Sequence, residues 1–316
     1  MRLFVCVSIL LVACSASDET ARSGSLIEVV GKIENKKLDE ASGLARSSRT
    51  AELYWAINDD GPAVIHALGA NGKNLGRVHI ADAKNRDWED MAAFSIDGDA
   101  YLLIADIGDN DGKYKQVSLY VIDEPDPEDD AVKIAWQIDF KYPDGARDAE
   151  AVAVDAAGQH IYVLSKRTVP AELYRLPLRP TTNATVIAEQ VGLFDSLPQP
   201  SDYERRNVMR SGCGWQPTAM DFAPDGSSAL VLTYDGVNYF SRGPEQSWPE
   251  ALHGQALHLS IGEYQGRECK HKSAESITYS VDGDAAIVTV EKKHAPVLQI
   301  DLRETDKKKA SPKAGL

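Results

Sequence analysis

A fivefold internal repeat constrains what this chain can fold into more strongly than any other feature of its sequence. Each repeat starts with small or acidic residues, continues into a short apolar run, and passes through a turn into a second apolar run. The five starts are Ser42-Gly43-Leu44-Ala45, Glu89-Asp90-Met91-Ala92, Glu150-Ala151-Val152-Ala153, Thr218-Ala219-Met220-Asp221 and Glu275-Ser276-Ile277-Thr278. Four of the turns contain glycine, which between short β-branched runs is typical of a β-hairpin. The repeat therefore predicts a succession of short antiparallel strands.

Further apolar runs follow each hairpin, so that one repeat supplies up to four strands; in the third repeat the fourth strand is predicted at residues 185–190. The last repeat lacks a fourth strand, and an apolar stretch at residues 25–33 precedes the first repeat without a partner. Pairing these two ends would close a ring and leave no exposed sheet edge. The repeats lie roughly 45 to 70 residues apart, which is close to the length of a four-stranded propeller blade with its loops.

These features predict an all-β fold, namely a single β-propeller over residues 26–303 with five four-stranded blades and a ring closed by the N-terminal strand. Long connections around residues 191–216 and 241–255 leave room for a sixth blade. A β-sandwich and a β-helix are the alternative all-β arrangements.

The two ends of the chain predict export and lipid anchoring. Met1-Arg2 and an apolar run over residues 3–13, which is shorter than the roughly 20 residues that span a bilayer, have the form of a signal peptide. The run ends in Leu11-Val12-Ala13-Cys14, which resembles a bacterial lipobox. We expect cleavage after residue 13, lipidation of Cys14, and a polar tether over residues 14–25. Residues 304–316 are expected to form a basic, disordered tail.

An ordinary signal peptide or a membrane anchor is the alternative for this leader. Ser15 follows the cysteine, where an aspartate would favour retention in the inner membrane, so the expected location is the outer membrane. Such a protein faces either the periplasm or the cell surface. In that oxidising compartment, Cys213 and Cys269 are expected to form a disulfide bond.

Charge limits the classes of partner. The formal net charge of −14 disfavours nucleic acid and anionic lipid surfaces, and no second long apolar segment follows Cys14. Contact with the membrane is therefore expected through the lipid anchor only. A small anionic ligand or an envelope protein remains as a partner, and an acidic excess also suits cation binding where carboxylates converge.

The register of the repeats predicts where carboxylates converge. Alignment on the first apolar residue of each inner strand makes five polar residues equivalent: Ser42, Glu89, Glu150, Thr218 and Glu275. Three glutamates would then surround the propeller axis at one end, where their repulsion is costly unless a cation compensates it. Oxygen ligands suit a hard cation, and Ca²⁺ tolerates irregular geometry better than Mg²⁺. The alternative is that these polar residues only cap strands by bonding to neighbouring backbone.

The ends of the second strands are expected to reach the same face. They carry Asp106 and Asp109, which we predict as further metal ligands, and Lys166, Arg167, Lys292 and His294, which we predict as contacts for an anionic ligand. Metal and bases together can hold a phosphate. Solvated ion pairs on loop tips are the alternative interpretation.

Several of these segments resemble those of the phytase-like β-propellers and related secreted bacterial propellers. The similar segments are Glu89-Asp90-Met91-Ala92, Asp148-Ala149-Glu150-Ala151-Val152, Ala274-Glu275-Ser276-Ile277, Tyr142-Pro143-Asp144-Gly145 and Ile104-Ala105-Asp106-Ile107-Gly108-Asp109-Asn110. The resemblance implies a propeller with calcium in or near its central channel, and phosphoester hydrolysis. It also implies that Glu89, Glu150 and Glu275 are metal ligands and that Lys166 and Arg167 contact an anion.

The leading functional prediction is an envelope lipoprotein that binds a ligand, together with a divalent cation, at the glutamate-ringed face. A Ca²⁺-dependent phosphoesterase and a scaffold for protein interactions are the alternatives. Bound metal distinguishes the first two functions from the third.

Overall fold

The computed structural model describes residues 26–182, 184–197, 199–206, 214–261 and 274–303, and within them the fold is all-β. The strands are β1 Ile27–Lys32, β2 Ala41–Arg46, β3 Leu53–Asn58, β4 Val64–Gly69, β5 Asn74–Ala81, β6 Trp88–Ile96, β7 Asp99–Asp106, β8 Val117–Asp123, β9 Ala131–Lys141, β10 Ala149–Asp155, β11 His160–Ser165, β12 Ala171–Pro177, β13 Val186–Ile187, β14 Glu189–Phe194, β15 Pro217–Phe222, β16 Ser228–Thr233, β17 Gly236–Ser241, β18 Leu257–Ser260, β19 Ala274–Tyr279, β20 Ala285–Val290 and β21 Pro296–Asp301. Two short helices are described, α1 Asp202–Arg206 and α2 Trp248–Leu252. None of the described helices is long and apolar enough to cross a membrane.

Antiparallel pairing groups the strands into four-stranded units, and a short parallel pairing of β5 with β9 joins the first two units into one sheet. The units are β2-β3-β4-β5, β6-β7-β8-β9, β10-β11-β12-β14, β15-β16-β17-β18 and β19-β20-β21-β1. The innermost strands β2, β6, β10, β15 and β19 each contact the next, and β19 contacts β2 in turn, so the inner strands form a closed ring. This arrangement is a β-propeller, as the repeat predicted. The last unit is completed by β1, which pairs antiparallel with β21 and so joins the two ends of the described domain, also as predicted.

Burial follows position within a unit. Every residue of β2, β15 and β19 is buried, whereas most residues of the outer strands β5 and β9 are exposed or partly buried. The apolar core lies between neighbouring units: Trp55 of the first unit, for example, shares a buried cluster with Trp88 and Met91 of the second. Both faces of an inner strand therefore pack against adjacent sheets, which explains why the repeat reads as apolar runs and not as strict alternation.

Two buried aspartates bond to inner-strand amides of several units. The carboxylate of Asp90 accepts hydrogen bonds from the backbone N–H groups of Met91, Val152 (2.8 Å) and Met220 (3.1 Å), which belong to three successive units. The carboxylate of Asp221 accepts a hydrogen bond from the backbone amide of Tyr279 in the next unit (3.0 Å). It also accepts one from the guanidinium group of Arg46 in the unit after that (3.1 Å). An inner strand has a partner strand on one side only, so these carboxylates satisfy amides that no strand can reach.

The structure corrects the third unit. Its fourth strand is β14, not the predicted segment 185–190, because Val186–Ile187 pairs in parallel with β9 of the preceding unit. The described parts of the two long connections contain α1 and α2. The leader with Cys14, the pair Cys213 and Cys269, and the tail at 304–316 lie outside the described residues.

Candidate functional site

Five equivalent β-bulges lie at the start of the inner strands. The pairing of each inner strand with its neighbour shifts register across one residue, and those residues are Ser42, Glu89, Glu150, Thr218 and Glu275. A bulge leaves its extra residue out of the regular ladder and redirects that side chain. The polar positions that the sequence aligned therefore share one local backbone irregularity at one end of the ring.

The two hydroxyl residues at this level connect neighbouring units. Ser42 Oγ donates to the backbone oxygen of Trp88 at 2.7 Å, and Thr218 Oγ1 donates to that of Ala274 at 2.9 Å. In each case the acceptor immediately precedes a bulge glutamate of the next unit. Ser42 and Thr218 therefore cap neighbouring backbone, which was the alternative interpretation of the aligned polar positions. Their hydrogen bonds hold the strands that carry Glu89 and Glu275.

The glutamates form part of a buried acidic group. Glu89, Glu150 and Glu275 are only 6%, 3% and 8% exposed. One carboxylate oxygen from each of Glu89, Asp148 and Glu150 lies within 4.8 Å of the other two. Asp87 and Glu275 interact electrostatically with this group. We call Asp87, Glu89, Asp148, Glu150 and Glu275 the carboxylate cluster.

Two basic side chains from the end of β11 contact the carboxylate cluster. Lys166, which is buried, forms an ion pair with Glu150, and its Nζ lies 5.2 Å from the ring centroid of Tyr234. Arg167 pairs with Asp148 and also donates to the side-chain oxygen of Asn110. Two of the four side chains predicted to contact an anion, Lys166 and Arg167, are therefore already paired with carboxylates.

Tyr234 links the remaining glutamate to the group. Its hydroxyl donates to Glu275 Oε1 at 2.7 Å, while its ring lies beside the Lys166 ammonium group. The tyrosine follows the second strand of the fourth unit, as Lys166 follows that of the third. Inner-strand starts and second-strand ends thus meet at one face.

Burial and mutual repulsion raise the pKa values of these acids. Burial, with Glu275 and Asp148 adding to it against the opposing effect of Lys166, raises the pKa of Glu150 to about 8. Burial and the nearby Glu150 hold the pKa of Glu89 well above its ordinary value. The pKa of Asp87 is raised by burial and by Asp148. These shifts favour the protonated forms of Glu89, Glu150 and Asp87 unless a further positive charge compensates the carboxylates.

Asp106 and Asp109, predicted as metal ligands, organise the loop beside the cluster. Asp106 Oδ1 accepts the amide of Asp87 at 2.9 Å. The two oxygens of Asp109 accept the amides of Lys113 and Tyr114, each at 2.7 Å, and the Asp109 amide donates to Asp148 Oδ1 at 2.9 Å. Asp106 therefore holds the backbone of Asp87, and the backbone of Asp109 holds the carboxylate of Asp148.

Lys292 and His294 are exposed, and no contact with the carboxylate cluster is found for them among the described residues. The Nδ1 atom of His294 lies 3.2 Å from the backbone oxygen of Ile33, where the chain leaves the closing strand β1. The neighbouring Lys293 pairs with Asp39 at 3.3 Å. This segment contacts the N-terminal part of the described domain.

Sequence reasoning missed Asp87, Asp148 and Tyr234 as members of the site. A usable signal was present, because the second and third repeats share an Asp-x-Glu pattern in Asp87-Trp88-Glu89 and Asp148-Ala149-Glu150. Because the aspartate recurs at the same distance before two of the aligned glutamates, this spacing could have added two carboxylates to the predicted cluster. Tyr234 directly follows the second strand of the fourth unit, where polar groups were expected to reach this face, but its contact with Glu275 has no signal in the sequence.

No family model matches this sequence, and no curated protein matches it. Among solved structures, a gluconolactonase from Xanthomonas campestris, described as important in glucose secondary metabolic pathways, is similar with a TM-score of 0.45 and 13% sequence identity. The similarity covers 83% of this chain and 71% of that one. At this level of similarity the activity is a property of that protein alone.

Proposed function

We propose that the carboxylate cluster binds a divalent cation, with Ca²⁺ as the first candidate, and that the bound cation holds a small anionic ligand. The observation that carries this proposal is the convergence of Glu89, Asp148 and Glu150, whose oxygens approach within 4.8 Å while their side chains are buried. Carboxylate oxygens that approach one point from several strands suit a hard cation, and Ca²⁺ accepts irregular sets of such ligands.

The balance of charge supports a cation. When ionised, the five carboxylates of the cluster face two positive side chains, Lys166 and Arg167, which leaves an excess of three negative charges. An excess of buried charge must be compensated, either by protons or by a further cation. A divalent ion would reduce the excess to one charge without removing either existing ion pair.

The pairing of the two bases determines how an anion would bind. Because Lys166 and Arg167 already pair with Glu150 and Asp148, an anion competes poorly for them while those carboxylates are unoccupied. A cation shared by the carboxylates would release part of this pairing and would itself attract the anion. Binding of an anionic ligand should therefore depend on the cation. A phosphoesterase would add activation of water by the metal, which is the chemistry that a bound divalent ion supplies.

We further propose that the five four-stranded units are the complete set of blades and that Cys14 anchors the domain in the outer membrane. The closed ring of inner strands supports the blade number. The lipobox-like Leu11-Val12-Ala13-Cys14 supports the anchor. Mass spectrometry of the membrane-extracted protein should find an acylated N-terminal Cys14, and an unmodified residue there would contradict the anchor.

Calcium should stabilise the folded protein against heat. At about 100 times the dissociation constant, one bound ion contributes about 2.7 kcal/mol, or about 5 °C in Tm for a domain of this size. Melting with and without millimolar Ca²⁺ tests this. We expect the shift to vanish in Glu150→Gln and to persist in the matched control Glu245→Gln, which removes a carboxylate from an exposed loop. No shift in the wild-type protein would remove the cation from the proposal.

Hydrolysis of a generic phosphoester distinguishes an enzyme from a binding protein. Ca²⁺-dependent turnover that is lost in Glu150→Gln would support a phosphoesterase at this site. A calcium-dependent melting shift without turnover would support ligand binding, whereas turnover that survives Glu150→Gln would place the chemistry elsewhere.

A substitution at Gly108 should weaken cation binding through the cluster. A methyl group on this residue would overlap Oε1 of Glu89 and the carboxyl group of Asp87, so both acids must move. We expect Gly108→Ala to lower Ca²⁺ affinity about tenfold, because disturbing the groups that orient metal ligands typically weakens metal binding by about this factor. Gly214→Ala is the control, since its added carbon would meet its nearest neighbour at an ordinary 3.5 Å. Equal affinities in the two variants, measured by calorimetry, would argue against a metal held by Glu89.

A further inference from the structure

The connection between β7 and β8 lies directly against the carboxylate cluster. A side chain on Gly108 would overlap Oε1 of Glu89 and the carboxyl group of Asp87, so the backbone of this glycine covers both acids. Its amide also donates to the backbone oxygen of Asp87 at 3.1 Å. We call residues 107–116 the β7–β8 loop.

Asp148 holds the β7–β8 loop at two further points. Its Oδ1 accepts the backbone amide of Asp109 at 2.9 Å. Its Oδ2 accepts from Arg167, and the same guanidinium group donates to the side-chain oxygen of Asn110. Asp148 is also one of the three acids whose oxygens lie within 4.8 Å of one another. The group that holds the loop is therefore a ligand of the proposed cation as well.

Contacts within the β7–β8 loop give it a defined shape of its own. The carboxylate of Asp109 accepts the amides of Lys113 and Tyr114, each at 2.7 Å. The amide of Gly112 donates to the backbone oxygen of Asp109 at 2.8 Å, and its φ of +61° suits the tight turn that glycine adopts readily. A compact surface loop of this kind can move as one unit when the contacts that hold it to the cluster break.

The acids beneath the loop have little contact with solvent. Glu89, Asp148 and Glu150 are only 6%, 6% and 3% exposed, so a ligand that contacts them must displace a group that covers them. Residues 110–116 of the loop are exposed, and the loop joins the paired strands β7 and β8. Segments with exposed backbone and few buried contacts open at a small fraction of the free energy of global unfolding. The loop can therefore open while the strands that carry the acids stay in place.

We propose that the β7–β8 loop is a gate to the carboxylate cluster and that Arg167 holds it shut by bonding to both Asp148 and Asn110. This inference rests on the proposed function, because it concerns how the cation reaches its ligands.

The two states of the gate differ in what compensates Asp148. In the ion-free protein Arg167 supplies the positive charge and holds the loop through Asn110. A cation that binds Asp148 replaces this charge, so Arg167 holds the loop less firmly once the ion is present. A ligand shifts a conformational equilibrium only through its different affinity for the two states, and the contact with Asp148 provides that difference.

Asn110→Ala should raise the affinity for Ca²⁺, since it removes the acceptor through which Arg167 holds the loop and leaves every carboxylate of the cluster in place. A closed state that cannot bind lowers the apparent affinity of a site, and weakening that state removes the penalty. We expect a Kd about tenfold below that of the wild type, measured by calorimetric titration of the full, chelator-treated chain with Ca²⁺. The rate of Ca²⁺ release into a fluorescent chelator, followed by stopped flow, should change less than about twofold, because the ion-bound state has already lost this contact.

Gln116→Ala is the matched control, because it also removes a neutral amide group from the β7–β8 loop. The side-chain oxygen of Gln116 accepts from Thr185 at 2.9 Å, away from the cluster, so its Kd should equal that of the wild type. Hydrogen exchange in the calcium-free proteins gives a second readout that needs no ion. The amides of Gly108 and Asp109 should exchange about tenfold faster in Asn110→Ala and at the wild-type rate in Gln116→Ala.

The outcomes separate the gate from the cation site. Equal or weaker Ca²⁺ binding by Asn110→Ala, or unchanged exchange at Gly108 and Asp109, would overturn the gate and leave the cation site in place. An equal gain in affinity in Gln116→Ala would overturn the role of Arg167, since any loosening of the loop would then suffice. Absence of Ca²⁺ binding in all three proteins would overturn the proposed cation and the gate together.

Discussion

Asp90→Ala should lower the free energy of unfolding by about 4 kcal/mol, the largest stability loss that we expect from one substitution in the central ring. Asp90 is fully buried, and its carboxylate is the acceptor for the amides of Met91, Val152 and Met220. Removing it leaves three buried donors unsatisfied, at about 1–3 kcal/mol each before any water enters. Urea unfolding of the two proteins, with equal slopes, gives the difference directly.

The matched variant is Asp90→Asn. Its single carbonyl oxygen can still accept at the position that serves Val152 and Met220, so we expect a smaller loss than in Asp90→Ala. A loss below about 1 kcal/mol in the alanine variant would mean that water replaces the carboxylate without cost and that the aspartate does not hold the inner strands together.

The stability of the calcium-free protein should fall as the pH rises from about 5 to 8.5. Glu150 has a pKa of about 8 in the folded protein and an ordinary value of 4.5. Between these values the folded state binds a proton that the unfolded state has released, so stability is greatest below the lower pKa and is lost as pH rises through the upper one. The loss approaches about 1.4 kcal/mol per pH unit for each such group. The raised pKa values of Glu89 and Asp87 act in the same direction.

Melting curves in a calcium chelator across this pH range, for wild type and Glu150→Gln, isolate the contribution of Glu150. The variant cannot lose this proton, so its Tm should fall less steeply with pH. Lys166, whose pKa is held well above its ordinary 10.5 by Glu150, Tyr234 and Glu275 in spite of burial, titrates above this range. Calcium competes with protons for the carboxylates, so its stabilising effect should grow with pH. Identical pH profiles for the two proteins would contradict the raised pKa.

Much of the fold could be predicted because the repeat encodes it. The inner strands are apolar runs in equivalent positions. Only the last repeat lacked a fourth strand, and the N-terminal strand had no partner, so the pairing of β1 with β21 could be predicted. The fourth strand of the third unit could not be placed in this way. Val186 and Ile187 have high β-propensity, but propensity does not specify a partner, and they pair with β9 of another unit.

The candidate site was predictable as a face but not as a set of contacts. Alignment of the repeats placed Glu89, Glu150 and Glu275 together, whereas it could not show that Lys166 would turn inward to pair with Glu150. The sign of a charge near a strand end does not reveal its partner. Helix α2 also went unpredicted, although Ser247 and Glu250 have the spacing of a capping box and form one in the structure.

Calorimetric titration of Ca²⁺ into the chelator-treated protein tests the central proposal most directly. The carboxylate cluster predicts one ion per chain at pH 8, with affinity reduced on the order of 100-fold in Glu89→Gln and Glu150→Gln, because each removes one charged ligand. Glu245→Gln should bind as the wild type does. Absence of saturable binding at millimolar Ca²⁺, or equal affinity in all four proteins, would contradict a cation site at the bulge glutamates.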